Sequence, residues 1–228
     1  MKQYRVFLLD ADETLFDFKR AEAEALQTAL QSYGLACGEE IQQRYHQIND
    51  GLWKRFETGA VSKNELQTAR FSILFRELGI RQDAAAFNVR YMAELGKGAY
   101  LLDGAYDVCK KLYERGTKLC IVTNGDAAAQ RSRIGRSALG EFFDELFISE
   151  ELGARKPEKL FFERVLARLG AFDRREMLIV GDSLSSDVAG GNAAEIDTCW
   201  FNPRNAENAT KAVPTYEIRS LRELETFA

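Results

Sequence analysis

Two aspartates two residues apart, a threonine, a lysine and a second pair of aspartates are the side chains here with the most to offer a reaction. They sit in four short segments: Asp10-Ala11-Asp12-Glu13-Thr14, Thr123-Asn124-Gly125-Asp126, Ala154-Arg155-Lys156-Pro157 and Gly181-Asp182-Ser183-Leu184-Ser185-Ser186-Asp187. Carboxylates gathered in one place repel one another and take up protons unless a cation holds them. Oxygen ligands without His or Cys suit a hard ion, and Mg2+ keeps waters and shares its sphere with a phosphate. Asp10 and Asp182 are the expected side-chain ligands, with a main-chain carbonyl from Asp12 and with Asp187 in support. Lys156, the Thr123 hydroxyl and backbone N–H groups around Asn124 and Gly125 are expected to hold phosphate oxygens. Pro157 suits the first turn of a helix aimed at the same anion.

Phosphoryl transfer is the chemistry such a set supports. A carboxylate beside Mg2+ can attack phosphorus and form an aspartyl-phosphate, and Asp10 is the candidate. Asp12 is placed to protonate the leaving alcohol and then to deprotonate the water that hydrolyses the intermediate. The metal, Lys156 and Thr123 would offset charge on the transferring group.

These segments need a scaffold that brings them together. Short apolar runs recur at Tyr4–Leu9, Lys118–Val122, Glu145–Ile148, Met177–Val180 and Thr198–Phe201. Their apolarity is continuous, as in strands covered on both faces. Helical periodicity lies between them, at Ala105–Arg115 and Leu160–Leu169, so the pattern predicts a doubly wound parallel α/β sheet. The polar segments follow the strands, on the edge where open α/β sheets bind ligands. More than a hundred residues separate the first two strands, far beyond an ordinary crossover. That stretch reads as helix at Ala21–Tyr33, Glu39–Asn49, Lys63–Leu78 and Asp83–Leu95, with breaks near Gly34, Gly51, Gly59 and Gly79. The expected organisation is a core of residues 1–15 and 99–228 with a helical cap at 16–98. Asn202–Pro214 reads as a loop and Leu221–Phe227 as a last short helix.

Composition sets limits. The chain has 228 residues, 46% of them hydrophobic, with only 3 prolines, which excludes disordered and fibrous classes. A net charge of −4 does not favour nucleic-acid polymers or anionic membranes. No run approaches a membrane span or a secretory signal, so a cytoplasmic protein is expected, as a monomer or small homo-oligomer. Cys37, Cys109, Cys120 and Cys199 are widely spaced and read as buried thiols.

A lone Asp-x-Asp is ordinary capping or turn material. Four ordered motifs are not. Asp10-x-Asp12-x-Thr14, Thr123-Asn124-Gly125, Lys156-Pro157 and Gly181-Asp182-x-x-x-x-Asp187 together resemble the haloacid dehalogenase (HAD) superfamily of phosphohydrolases over nearly the whole chain. The insert resembles the cap of the subfamily that places it after the first motif. Glu13 departs from the pattern, since most members carry Gly there. Asp-Ala-Asp-Glu-Thr-Leu-Phe, Leu52-Trp53, Ile148-Ser149-Glu150-Glu151-Leu152-Gly153 and Cys199-Trp200-Phe201-Asn202 are similar to the bacterial pyrimidine 5′-nucleotidase branch. The resemblance implies a Mg2+-dependent enzyme that releases phosphate from nucleoside monophosphates. Other readings are a phosphosugar phosphatase or mutase of the same superfamily and, more distantly, a phospho-accepting signalling domain.

Substrate contacts are expected from Phe16 and Phe18, where the chain enters the insert, and from Trp53. Phe56, Phe71 and Phe75 have the helical spacing of cap-core residues. His46 reads as a surface or packing residue, Arg70 as an exposed arginine, and the charges of Arg131–Arg136 as a solvated helix face.

Overall fold

The computed structural model describes residues 2–170 and 172–228. Six parallel strands form one sheet: β1 (Val6–Leu9), β2 (Lys118–Thr123), β3 (Glu145–Ile148), β4 (Met177–Gly181), β5 (Asp197–Phe201) and β6 (Tyr216–Ile218), in the order β3-β2-β1-β4-β5-β6. This is the doubly wound order, whose direction of growth reverses between β1 and β4.

Side chains alternate across the sheet. Phe7 and Leu9 of β1 face one way with Leu119, Ile121, Leu178 and Val180, and meet Val108, Cys109 and Leu112 of α5 (Ala105–Glu114). Val6 and Leu8 face the other way with Cys120, Val122 and Ile179, and meet Phe161, Phe162 and Val165 of α8 (Lys159–Leu169). Two covered faces explain the continuous apolarity of these strands. The extended run begins at Val6 rather than Tyr4. β6 has only three residues in a polar stretch, too short to leave a pattern. Leu221–Phe227 is a 3-10 helix. Cys109, Cys120 and Cys199 are buried free thiols, whereas Cys37 is half-exposed.

The chain divides into two compact units, Met1–Asp17 with Ala99–Ala228, and Phe18–Gly98. The second unit consists of α1 (Phe18–Ser32), α2 (Glu39–Glu57), α3 (Lys63–Leu78) and α4 (Ala84–Leu95). Ser62 and Glu65 form a reciprocal capping box at the start of α3, and Gly79, left-handed at φ 66°, closes it. Asp83 caps α4. The expected break at Gly51 does not occur. Ile48, Leu52 and Phe56 continue one buried stripe straight through it, and that packing outweighs the ~1 kcal/mol cost of a helical glycine.

Phe71 lies at the centre of this unit, stacked on Tyr45 at 5.2 Å and edge-on to Phe87 and Tyr91. Phe56 and Phe75 are buried as well, and Trp53 is half-buried. Arg70 is not exposed. It is 2% accessible, donates to Asn49 Oδ1 at 3.3 Å and Asn88 Oδ1 at 2.6 Å, and lies 4.7 Å over the Tyr91 ring. Asn49 in turn donates to the buried Glu22, whose other oxygen meets His46 Nδ1 at 2.7 Å. Among the described residues no helix is long and apolar enough to cross a membrane.

Candidate active site

The direction in which strands are added reverses between β1 and β4, the switch point beyond whose carboxyl ends open α/β sheets bind ligands. Asp10 follows β1, and its N–H donates to the Val180 carbonyl of β4 at 2.8 Å. Asp182 follows β4. One carboxylate oxygen from each of Asp10, Asp182 and Asp187 lies within 4.8 Å of the others.

Lys156 arrives from beyond β3, and its side chain is 2% exposed. Its ammonium donates to Asp10 Oδ1 at 2.6 Å, Asp187 Oδ1 at 2.6 Å and the Val122 carbonyl at 2.8 Å. An ammonium has three donors, so all are engaged here. Burial opposes its charge, yet the two carboxylates beside it prevail and raise the ammonium above its ordinary value.

Burial pushes the Asp10 carboxyl up to about 7, against the pull of Lys156. Asp182 is raised well above the carboxylate range, by burial first and then by Asp10 and Asp187. Asp10 and Asp187 share the Lys156 ammonium, and Asp182 lies beside those two carboxylates. The all-oxygen donor set and the cost of ionising it fit a hard divalent cation such as Mg2+.

Backbone features set these side chains in place. The Thr14 hydroxyl, fully buried, donates to Asp10 Oδ2 at 3.3 Å and accepts the Asp182 N–H at 3.1 Å, tying the ends of β1 and β4 together. The Trp200 indole donates to the Asp182 carbonyl at 2.9 Å. Asp187 accepts the Ser183 N–H at 3.2 Å. A Cβ on Gly181 would overlap the Asp187 carboxylate, which explains glycine at the head of that motif. Glu13 adopts φ 58°. Glycine reaches this left-handed conformation without strain, and Glu13 holds it with a side chain.

The loop after β2 differs in detail from expectation. The Asn124 side chain turns toward the lysine loop, donating to the Lys156 carbonyl and accepting its N–H, both at 2.9 Å. The Gly125 N–H donates to Thr123 Oγ1 at 3.0 Å. The Asn124 side chain thus fixes the lysine loop, while the Gly125 N–H, one of the backbone groups expected to face phosphate, bonds to Thr123. The Lys156–Pro157 bond is cis, and Pro157 precedes α8 without entering its first turn, because Glu158 occupies the N-cap position.

Asp12 is bound from α6 (Ala127–Arg136). Gln130 Nε2 donates to Asp12 Oδ2 at 2.7 Å, and Arg133 Nη1 donates to Asp12 Oδ1. Gln130 and Arg133 are each 1% exposed. The solvated-face reading of Arg131–Arg136 therefore fails at Arg133, although Arg131 is exposed and pairs with Glu151. A hydrophobic pattern could not reveal this, because Arg133 occupies a buried position with a charged residue. Phe16 is also displaced from its expected role. It is fully buried in the core of its unit, with the Arg133 guanidinium 5.0 Å over its ring, and has no free face to offer a substrate. Phe18 opens α1 and Trp53 lies on α2, both in the helical unit.

At the strand ends Asp10, Lys156, Asp182 and Asp187 are thus joined through Lys156 and Thr14, and Asp12 and Thr123 are joined through Gln130. Acidic side chains and a buried lysine gathered at the strand ends of a doubly wound sheet mark an α/β protein with its ligand site at that edge. A model of the haloacid dehalogenase-like hydrolase family matches residues 4–195, and the chain belongs to that family. The HAD-hydrolase YfnB of Bacillus subtilis is 41% identical over 224 residues, covering 98% of this chain and 95% of YfnB. Its crystal structure, bound to magnesium, superposes with a TM-score of 0.94 over 99% of this chain and 98% of that one. The pyrimidine 5′-nucleotidase PynA of Streptococcus pneumoniae is 40% identical, covering 97% of this chain and 93% of PynA. The pyrimidine 5′-nucleotidase YjjG of Escherichia coli is 36% identical, covering 95% and 94%.

Proposed function

We propose that this chain is a Mg2+-dependent phosphatase of small phosphomonoesters, foremost pyrimidine nucleoside 5′-monophosphates, working through an aspartyl-phosphate on Asp10. One observation carries the reading: the Asp10 carboxylate stands at the end of β1, 2.6 Å from a buried ammonium and facing two further carboxylates. The nucleotide preference draws its support from PynA and YjjG.

Asp10, Asp182 and the Asp12 main-chain carbonyl would hold the ion, with Asp187 in support. Mg2+ bound there would polarise the phosphoryl oxygens and shield the nucleophile from their charge. Asp10 forms a bond to phosphorus as the ester P–O bond breaks, while Asp12 gives a proton to the departing alkoxide. Asp12 then takes a proton from water, whose oxygen attacks phosphorus. The P–O bond to Asp10 breaks, and phosphate and the free carboxylate emerge. Lys156 opposes negative charge throughout, and the Thr123 hydroxyl donates to a phosphoryl oxygen. The helical insert, residues 16–98, would serve as the cap that selects the leaving group.

A panel of pyrimidine and purine 5′-nucleotides and sugar phosphates, assayed with Mg2+ and with EDTA, tests this. Phosphate release should be fastest from UMP, dUMP and dTMP, and EDTA should stop it. Asp10→Asn should abolish turnover with an unchanged circular-dichroism spectrum. A wide preference for sugar phosphates would overturn the nucleotide reading, and an active Asp10→Asn would overturn the nucleophile.

A further inference from the structure

Gln130 and Arg133 point to a role in the reaction that no motif carries. They lie three residues apart on one face of α6, and both reach inward. Arg133 Nη1 donates to Asp12 Oδ1 and, at 3.2 Å, to Gln130 Oε1. That second bond fixes the Gln130 amide, because its oxygen must face the guanidinium. The amide nitrogen is left to serve two acceptors, Asp12 Oδ2 at 2.7 Å and Thr123 Oγ1 at 3.0 Å.

Thr123 Oγ1 therefore accepts twice, from Gln130 Nε2 and from the Gly125 N–H. A hydroxyl has two lone pairs and one hydrogen. With both lone pairs engaged, the hydroxyl is left as a donor, the polarity a phosphoryl oxygen requires. A Cβ at Gly125 would overlap the Gln130 amide, so glycine at that position makes room for the bridge.

We propose that Gln130 and Arg133 are positioning residues for the phosphatase reaction. Arg133 holds the Asp12 carboxylate in the orientation from which it serves the leaving group, and Gln130 locks the Thr123 hydroxyl as a donor while bracing the same carboxylate. The inference rests on the proposed phosphatase function and adds to it a division of labour. Asp12 matters most when the leaving group needs a proton, so Arg133 should matter in proportion to that need. Thr123 serves the phosphoryl group itself, so Gln130 should matter for every ester.

The test compares a nucleoside 5′-monophosphate, whose alkoxide must be protonated, with p-nitrophenyl phosphate, whose phenolate leaves unaided. Positioned acid–base groups contribute roughly 10²–10⁴-fold. Arg133→Met should lower kcat/KM for the nucleotide at least about 30-fold more than for the aryl ester, and Arg133→Lys should restore part of the difference. Gln130→Met should lower kcat/KM for both esters and raise KM for both. Equal losses on both esters in the Arg133 variants, or no loss, would overturn the positioning role, even with wild-type activity intact. If Arg133→Met does not fold, Arg133→Lys alone decides, since a displaced ammonium should still penalise the nucleotide selectively. A wild-type chain inactive on both esters would instead defeat the phosphatase reading beneath it.

Discussion

At the scale of single residues, small side chains do as much as charged ones. Asp187 is 1% exposed and shares Lys156 with Asp10, so its carboxylate has no room to yield. A methyl group at position 181 would strike it, and both the Asp187–Lys156 pair and the Ser183 N–H contact would shift. Gly181→Ala should cost about 1–3 kcal/mol, as overpacking of a well-filled interior does. It should also reduce kcat more than KM, because the displaced groups brace the proposed nucleophile. Urea unfolding and steady-state kinetics on the same preparation check both parts. The aspartates and the lysine that meet at the strand ends were legible in the sequence because such residues there have few structural reasons to recur. Their partners were not. Gln130 and Arg133 become visible only when the chain is folded, since nothing in their local pattern separates a buried polar contact from a solvated one.

At the scale of elements, periodicity reported what was buried and punctuation was less dependable. Continuous apolar runs marked β1 to β5 because helices cover both faces of the sheet, and β6 escaped because three residues carry no period. Glycine was the weak guide. Gly79 ends α3 at φ 66°, whereas Gly51 rides inside α2 with its surroundings open. A Cβ at position 51 would meet nothing within 4 Å outside its own helix backbone. Gly51→Ala should therefore stabilise the helical unit by about 0.5–1 kcal/mol, by lowering the entropy of the unfolded chain. Gly79→Ala, forced into a left-handed conformation, should destabilise it by about 1 kcal/mol. A rise in thermal midpoint for the first and a fall for the second is the expected pair of results. Equal shifts would mean that the two glycines have the same role.

At the scale of the whole molecule, the sheet gathers negative charge at one place and so links stability to pH and to metal. Asp10, raised to about 7 by burial, and Asp182, raised by burial and by its acidic neighbours, hold protons more tightly when folded than when unfolded. Where the folded state binds more protons, stability falls as pH rises. In the metal-free chain these two carboxyls should accordingly contribute less stability as pH climbs from the ordinary carboxylate value of 3.8 toward about 7. A divalent cation among the three carboxylates reverses that balance, because it favours the ionised forms that burial penalises. Mg2+ at about a hundred times its dissociation constant should add about 2.7 kcal/mol at neutral pH. That amounts to roughly 5–10 °C in the midpoint of a domain of this size. Around pH 5 the gain should shrink, since protons then compete for the same oxygens. Scanning calorimetry with Mg2+ and with EDTA at the two pH values measures this directly, and Asp182→Asn supplies the control. In that variant a neutral amide stands where the ion needs a carboxylate, so the response to Mg2+ should fall away. A variant that responded to Mg2+ as the wild type does would place the ion elsewhere in the molecule and separate the acidic cluster from the metal.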